Sequence, residues 1–478
     1  MITKDVLPER ILFLAAGFCL LFSLPSFAQR DSVTEKLFTE QQLLAVVRSW
    51  HPVVKQAEYG VQRSDAAITS ARGNFDPLLD ASFERKRFDG TTYYSYYKPE
   101  LIIPTWYGVE VYAGAEEISG NRVNAESTLG QTSYLGVSVP LLKDLVMDKR
   151  RATLQQAKTF LQQSKAERDN IVNDLLFDAL GAYWNWVREY RIYQLFTNII
   201  RLNEDRFRFV RIEYQQGNRP AIDTAEALAQ LQSFQFLQNE AQLKFRNAGL
   251  ELSNYLWLQN ETPYQLPPDI VPDSVAITMI DALPLPVLDT LLDAARLRHP
   301  KLRANSFKID WLQIEQKLKF QGLLPKLDVK ANLLNKGYNV FSKVNTTFLE
   351  NNYKYGISFS LPLRLSQGRG EYREAKLKVS EATLEQKMLG LQIENKVRSY
   401  FNEVLALRQQ IKINESMLLN YDRLLKGEEA RFRIGESSLF LVNTRENKVL
   451  ESMQKLVELK TKLYKSYAGL QWAAGLLQ

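Results

Sequence analysis

The chain has 478 residues, with 61 Lys and Arg against 54 Asp and Glu, a net charge of +7, two histidines and one cysteine. That length suits two to four compact domains or one elongated architecture. The charges are interspersed rather than clustered, which speaks against nucleic-acid binding, and a lone cysteine excludes a disulfide framework or a thiolate metal cluster.

In chain order, residues 1–28 read as a secretory leader. Lys4 and Arg10 precede the apolar run Ile11 to Leu24, and Ser26-Phe27-Ala28 is a small-residue exit. Cleavage after Ala28 removes Cys19, and Phe18 before that cysteine argues against lipidation. Beyond the leader no window reaches the ~18 consecutive apolar residues of a spanning helix. An exported chain of this kind is soluble or crosses a membrane as β-strands.

Residues 29–258 form a first structural repeat: a helical segment over 39–74, strand-like sequence after Pro77, and then a long helical hairpin. Between Pro140 and Gly217 there is no proline and one glycine, Gly181. Val172, Leu175, Ala179, Tyr183 and Val187 follow the three-and-four spacing of a helix packed in a coiled-coil-like seam. A helix over 145–216 runs roughly 100 Å, so the molecule is elongated. "YQQGNRPAIDTAEA" interrupts this helix: Gly217 suits a helix end, Pro220 a new start, and Asp223 or Thr224 a cap.

Residues 259–286 hold six of the 17 prolines and read as a linker. Residues 287–478 then repeat the plan. Arg48 and His51-Pro52 fall on Arg296 and His299-Pro300, and Pro77 falls on Pro325, at one offset. Arg151, Ala157-Lys158 and Gly217 fall on Arg369, Ala375-Lys376 and Gly435 at another. The two histidines are equivalent positions of an internal duplication, so they read as helix breaks rather than a metal or acid–base pair. The second hairpin turns at "FRIGESSLFLVNTRE", and no proline follows Pro362.

Four windows alternate with period two: Leu79, Ala81, Phe83; Leu135, Val137, Val139; Leu327, Val329, Ala331, Leu333; and Tyr355, Ile357, Phe359. The longer first copy has room for one further hairpin around "TWYGVEVYAGAEE", giving four to six strands. Ten aromatics lie between Phe75 and Tyr112, as in the interface girdles of an outer-membrane barrel. Fewer than the eight strands of the smallest closed barrels cannot close alone, so several copies share one barrel.

The ordered set of helix, strands and long hairpin, twice over, with Pro77 and Pro325 at strand entry and the tips "RIEYQQGNRPAIDTAEA" and "EARFRIGESSLFLVNTRE", resembles the TolC-like outer-membrane efflux protein family. The resemblance implies a mostly α, internally duplicated fold, in which a trimeric outer-membrane β-barrel is continued by a long periplasmic α-helical barrel. It also implies a passive exit duct for efflux or secretion, served by a periplasmic adaptor and an inner-membrane transporter, with no cofactor and no catalytic or metal site. Gly217, Asn218, Arg219, Pro220 and Gly435, Glu436, Ser437, Ser438 become the tips and the adaptor-docking edge. In the family an aspartate is common five positions after the second glycine, where this chain has Phe440. Asp223, Glu226, Phe440 and Glu446, together with Glu436 of the second tip, are the candidates for the closed aperture. The rival reading is a soluble periplasmic coiled-coil scaffold or adaptor. No GxxxxGK[ST], HExxH or GxSxG pattern supports an enzyme.

Overall fold

The computed structural model describes residues 36–124, 126–274, 283–338 and 352–477; the leader lies outside them. The first half runs β1 (Lys36–Phe38), α1 (Glu40–Trp50), α2 (Pro52–Arg72), β2 (Leu78–Phe88), β3 (Thr91–Pro104), β4 (Glu110–Ser119), β5 (Gly130–Pro140), α3 (Lys149–Gln215) and α4 (Ala221–Ser253). After β6 (Ile270–Pro272) the second half runs α5 (Leu288–Arg298), α6 (Pro300–Gln321), β7 (Lys326–Lys336), β8 (Tyr353–Ser360), α7 (Ser366–Arg433) and α8 (Leu439–Ala473). The chain is mostly helical with one main sheet.

Each helical segment read from the sequence is two helices divided at a histidine. His51 ends α1 and caps α2, its Nδ1 accepting from the Val53 amide at 3.2 Å; His299 does the same between α5 and α6, accepting from Lys301 at 3.2 Å. Proline at the first helical position follows each, where its missing N–H costs nothing. Both rings are buried, and burial lowers both imidazole pKa values, that of His299 to about 4. The histidines are therefore neutral caps, each local to its own helix junction.

The helices α3 and α7 have 67 and 68 residues, about 100 Å each at 1.5 Å per residue. Toward the sheet, α2 lies on α3, and α6 lies between α3 and α7. Toward the hairpin ends, α4 lies on α3, and α8 packs on both α7 and α3. At the waist, Leu43 and Val47 of α1 meet Leu176, Tyr183, Trp184 and Val187 of α3 and Leu252 of α4 in the largest apolar cluster. Trp184 stacks on Tyr464 at 3.9 Å and donates its indole N–H to Glu40 at 3.1 Å, while burial raises the Glu40 pKa. The proline-rich stretch is partly built into this waist. Within it β6 pairs in parallel with β1, and Val271 is buried, a pairing of three-residue strands too short to leave a periodic signal.

The main sheet has six strands in the order β2-β3-β4-β5-β7-β8, each neighbour antiparallel. All four sequence windows are strands, and the further hairpin is β3 and β4, turning at Thr105–Gly108. Asp89 and Gly90, both at positive φ, make the two-residue turn between β2 and β3. The register carries one apolar row across all six strands, Leu79–Leu101–Ala113–Leu135–Leu333–Tyr353. This face points to solvent: Leu79 is 74% exposed, Ile357 68% and Phe359 64%. The opposite face is concave and polar, with Asp80, Lys98, Glu100, Tyr134, Lys330 and Lys354 around a cavity of about 440 Å³. Tyr134 crosses β4 over Gly114, where a Cβ would lie 2.4 Å from its ring, and donates to Glu100 at 2.8 Å. A soluble sheet buries its apolar face and wets its polar one; this sheet does the reverse. Its outer strands β2 and β8 each pair on one side only among the described residues.

Candidate functional site: the paired hairpin ends

Both long helices end in the same way. Gly217 has φ +76 and Gly435 φ +80, the left-handed conformation that glycine adopts without a Cβ penalty. The Gly217 amide donates to the Tyr214 carbonyl at 3.0 Å and the Asn218 amide to Glu213 at 2.9 Å; Gly435 and Glu436 donate to Phe432 and Arg431 at 3.2 and 2.9 Å. These paired bonds are Schellman closures that satisfy the last carbonyls of α3 and α7.

The restarts differ. Ser438 caps α8 by accepting from the Leu441 amide at 3.4 Å. Pro220 stands at the cap of α4 and makes no side-chain bond. Neither Asp223 nor Thr224 caps that helix: Asp223 lies inside its first turn, 3.4 Å from Arg219, and the Thr224 hydroxyl donates to the Ala221 carbonyl. Proline already fixes the extended entry, so both residues fall too late to cap.

The two ends are tied together. The Arg219 guanidinium lies 3.7 Å from the Phe432 ring centroid and donates to the Phe432 carbonyl at 2.9 Å, joining the first turn to the end of α7. Within each end the turn is also bonded to its own helix: Ser437 donates to Glu428, and Asn218 to Glu213. One turn inward, Val210, Ala227, Phe432, Leu439 and Val442 pack as a small apolar core.

Behind it lies a charged layer. Arg206 of α3 donates to both oxygens of Glu446 on α8, at 2.7 and 3.0 Å, and to Glu429 of α7 at 3.2 Å. Asn203 donates to the same Glu446 carboxylate at 3.2 Å. Glu446 is 3% exposed, so its charge is spent inside the chain's own fold. Glu226 accepts from Asn443 at 3.1 Å, and Gln230 donates to Asn447 at 2.9 Å, joining α4 to α8. Of the aperture candidates, Glu446 is buried, Asp223 and Glu226 are bonded within the chain, Phe440 stands 65% exposed, and Glu436 is exposed on the turn. Sequence reading missed Arg206, Asn203 and Arg219 as cross-hairpin ties. Their partners lie more than 200 positions away, and no spacing rule links them.

Residues 291–476 match the family model described as outer membrane efflux protein. No curated protein sequence matches the chain. Among solved structures, the CmeC outer membrane channel of Campylobacter jejuni aligns at 16% identity over 91% of this chain and 85% of its own, with a TM-score of 0.62. The outer membrane protein VceC of Vibrio cholerae aligns at 15% identity over 91% and 96%, TM-score 0.63. The open state of the Neisseria gonorrhoeae MtrE outer membrane channel aligns at 15% identity over 92% and 89%, TM-score 0.62. The outer-membrane reading made from the sequence agrees with all three. Residues 291–476 thus carry an outer membrane efflux protein domain, and the chain as a whole has the fold of the TolC-like channels, as its sequence resemblance implied.

Proposed function

We propose that this chain is one of three protomers of an outer-membrane exit duct, passive in itself and served by a periplasmic adaptor and an inner-membrane transporter. The observation that carries the reading is the exposed apolar face of the six-stranded sheet. Strands of 8 to 14 residues are long enough to cross the hydrocarbon layer at a barrel tilt, and an apolar outside with a polar inside is the barrel arrangement. Six strands with open edges cannot stand alone in lipid, so β8 of one copy joins β2 of the next. The helices support the same assembly: Phe236, Leu243 and Leu250 on α4, and Leu377, Leu384 and Leu391 on α7, repeat every seven residues and are all exposed. Such rows are coiled-coil seams awaiting a neighbour.

In this reading the helical part hangs in the periplasm, and its hairpin ends form the gate. Gly217 to Pro220 and Gly435 to Ser438 present the adaptor-docking edge, and adaptor binding shifts the population toward splayed hairpins. Glu446 serves as an internal clamp on Arg206 rather than as a lining of the aperture. The internal duplication and the division at residues 259–286 belong to the same proposal; both histidine caps and both Schellman turns recur at equivalent positions in its support. The test is the mass of the detergent-solubilised particle together with planar-bilayer conductance. Three chains and stepwise currents are expected; a monomer soluble without detergent refutes the proposal.

A further inference from the structure

We infer that the closed aperture is an apolar ring made by Ile222 and Phe440, two side chains from each of three copies, which closes by excluding water rather than by a carboxylate filter; this rests on the trimeric duct just proposed. Each is the second residue of its helix and stands five positions after its turn glycine. Their neighbours Val210, Ala227, Phe432, Leu439 and Val442 are all at most 5% exposed, whereas Ile222 is 71% and Phe440 65% exposed. One exposed isoleucine means little. A large apolar side chain outside the local core at the same position of both hairpin ends points to a shared surface.

The placement of Ile222 is set by its helix. Ile222, Glu226 and Gln230 are four residues apart and lie on one face of α4, and Glu226 and Gln230 reach Asn443 and Asn447 of α8. Ile222 therefore extends the face turned toward the second hairpin, one turn nearer the end. The carboxylates on the opening turns of α4 and α8 are already engaged, Asp223 with Arg219, Glu226 with Asn443, Glu446 with Arg206 and Asn203; Glu436, on the turn before α8, is exposed. What the starts of α4 and α8 bring together from three copies is then mainly hydrocarbon, and Glu436 is the carboxylate that the Mg²⁺ arm of the test below interrogates. A narrow pore so lined expels water and blocks ions without choosing between their signs.

The experiment compares three purified proteins in planar bilayers: wild type, the double variant Ile222→Ser with Phe440→Ser, and the double variant Ile222→Val with Phe440→Leu. The serine pair should raise closed-state conductance at least about threefold, the Val/Leu pair should leave it near wild type, and millimolar Mg²⁺ on the helical side should leave the wild-type current unchanged. Serine-pair currents equal to wild type, or wild-type block by Mg²⁺, overturn the apolar ring. Particle mass is read on the same samples. A wild type with no three-chain particle and no stepwise current overturns the duct itself, whereas an intact duct indifferent to the serine pair removes only the ring.

Discussion

Replacing Arg206 with alanine attacks the contact that holds the two hairpins of the chain together. The Glu446 side chain is 4% exposed and Arg206 14%. Without the guanidinium the carboxylate keeps only the Asn203 amide, at 3.2 Å. Stranding one charge of a buried pair costs roughly 3–5 kcal/mol. Most of that falls on local opening of the ends, because the waist core of Tyr183, Trp184 and Leu252 is separate. At 1.4 kcal/mol per tenfold, amide exchange in the ends should accelerate about 10²–10³-fold. Hydrogen exchange read by mass spectrometry on peptides spanning 199–230 and 422–450 measures this, with waist peptides as the control. Glu446→Gln keeps a polar group beside Arg206 and should show a smaller acceleration. Less than about threefold change in Arg206→Ala, or equal acceleration at the waist, refutes the assignment of this layer as the clamp.

Three further outcomes follow from named residues. Ile357→Arg on the apolar face should destabilise the membrane-inserted protein by about 2–4 kcal/mol in urea titrations, while Ser358→Arg on the opposite face should cost less than about 1 kcal/mol; equal effects contradict the sidedness of the sheet. Gly217→Val with Gly435→Val forces β-branched residues into left-handed backbone at about 1–2 kcal/mol each. That pair should weaken binding of the adaptor and the efflux that depends on it without emptying the membrane of channel, as read by crosslinking to the adaptor and immunoblotting, and unchanged crosslinking counts against the docking edge. His299 titrates near 4 in the folded chain and 6.5 is its ordinary value, so between those pH values the unfolded chain binds more protons and stability falls as pH falls. The protection factor at the α5–α6 junction, that is exchange corrected for the intrinsic amide rate at each pH, should fall from pH 6.5 toward 4 in wild type and stay flat in His299→Asn, which keeps a capping side chain; identical profiles refute the buried neutral cap.

What the sequence revealed and what it hid divide along the range of the interactions. Helix breaks at His51 and His299, the turns at Gly217 and Gly435 and the period-two windows are set by neighbours within a few residues, and all were legible. The strand β3 was legible only as room for one arm of a further hairpin and not by its own pattern, because Tyr93, Tyr94, Tyr96 and Tyr97 put aromatics on both faces and hid its alternation. Capping of α4 was misassigned because Asp223 is a good capping residue type, yet Pro220 had already taken the cap position. Glu446 read as an aperture candidate, and only the fold brings Arg206 and Asn203 of the other hairpin to it. Such ties depend on how α3, α7 and α8 pack, which no local pattern encodes.

The sidedness of β8 offers the most direct test of the whole scheme. Single cysteines at each position from Tyr353 to Ser360, spin-labelled in lipid bilayers, would report collision with membrane-dissolved oxygen and with a water-soluble nickel chelate. Oxygen access should peak at 353, 355, 357 and 359 and chelate access at 354, 356, 358 and 360. Chelate access at every position, without alternation, would contradict the claim that the apolar face of this sheet meets lipid.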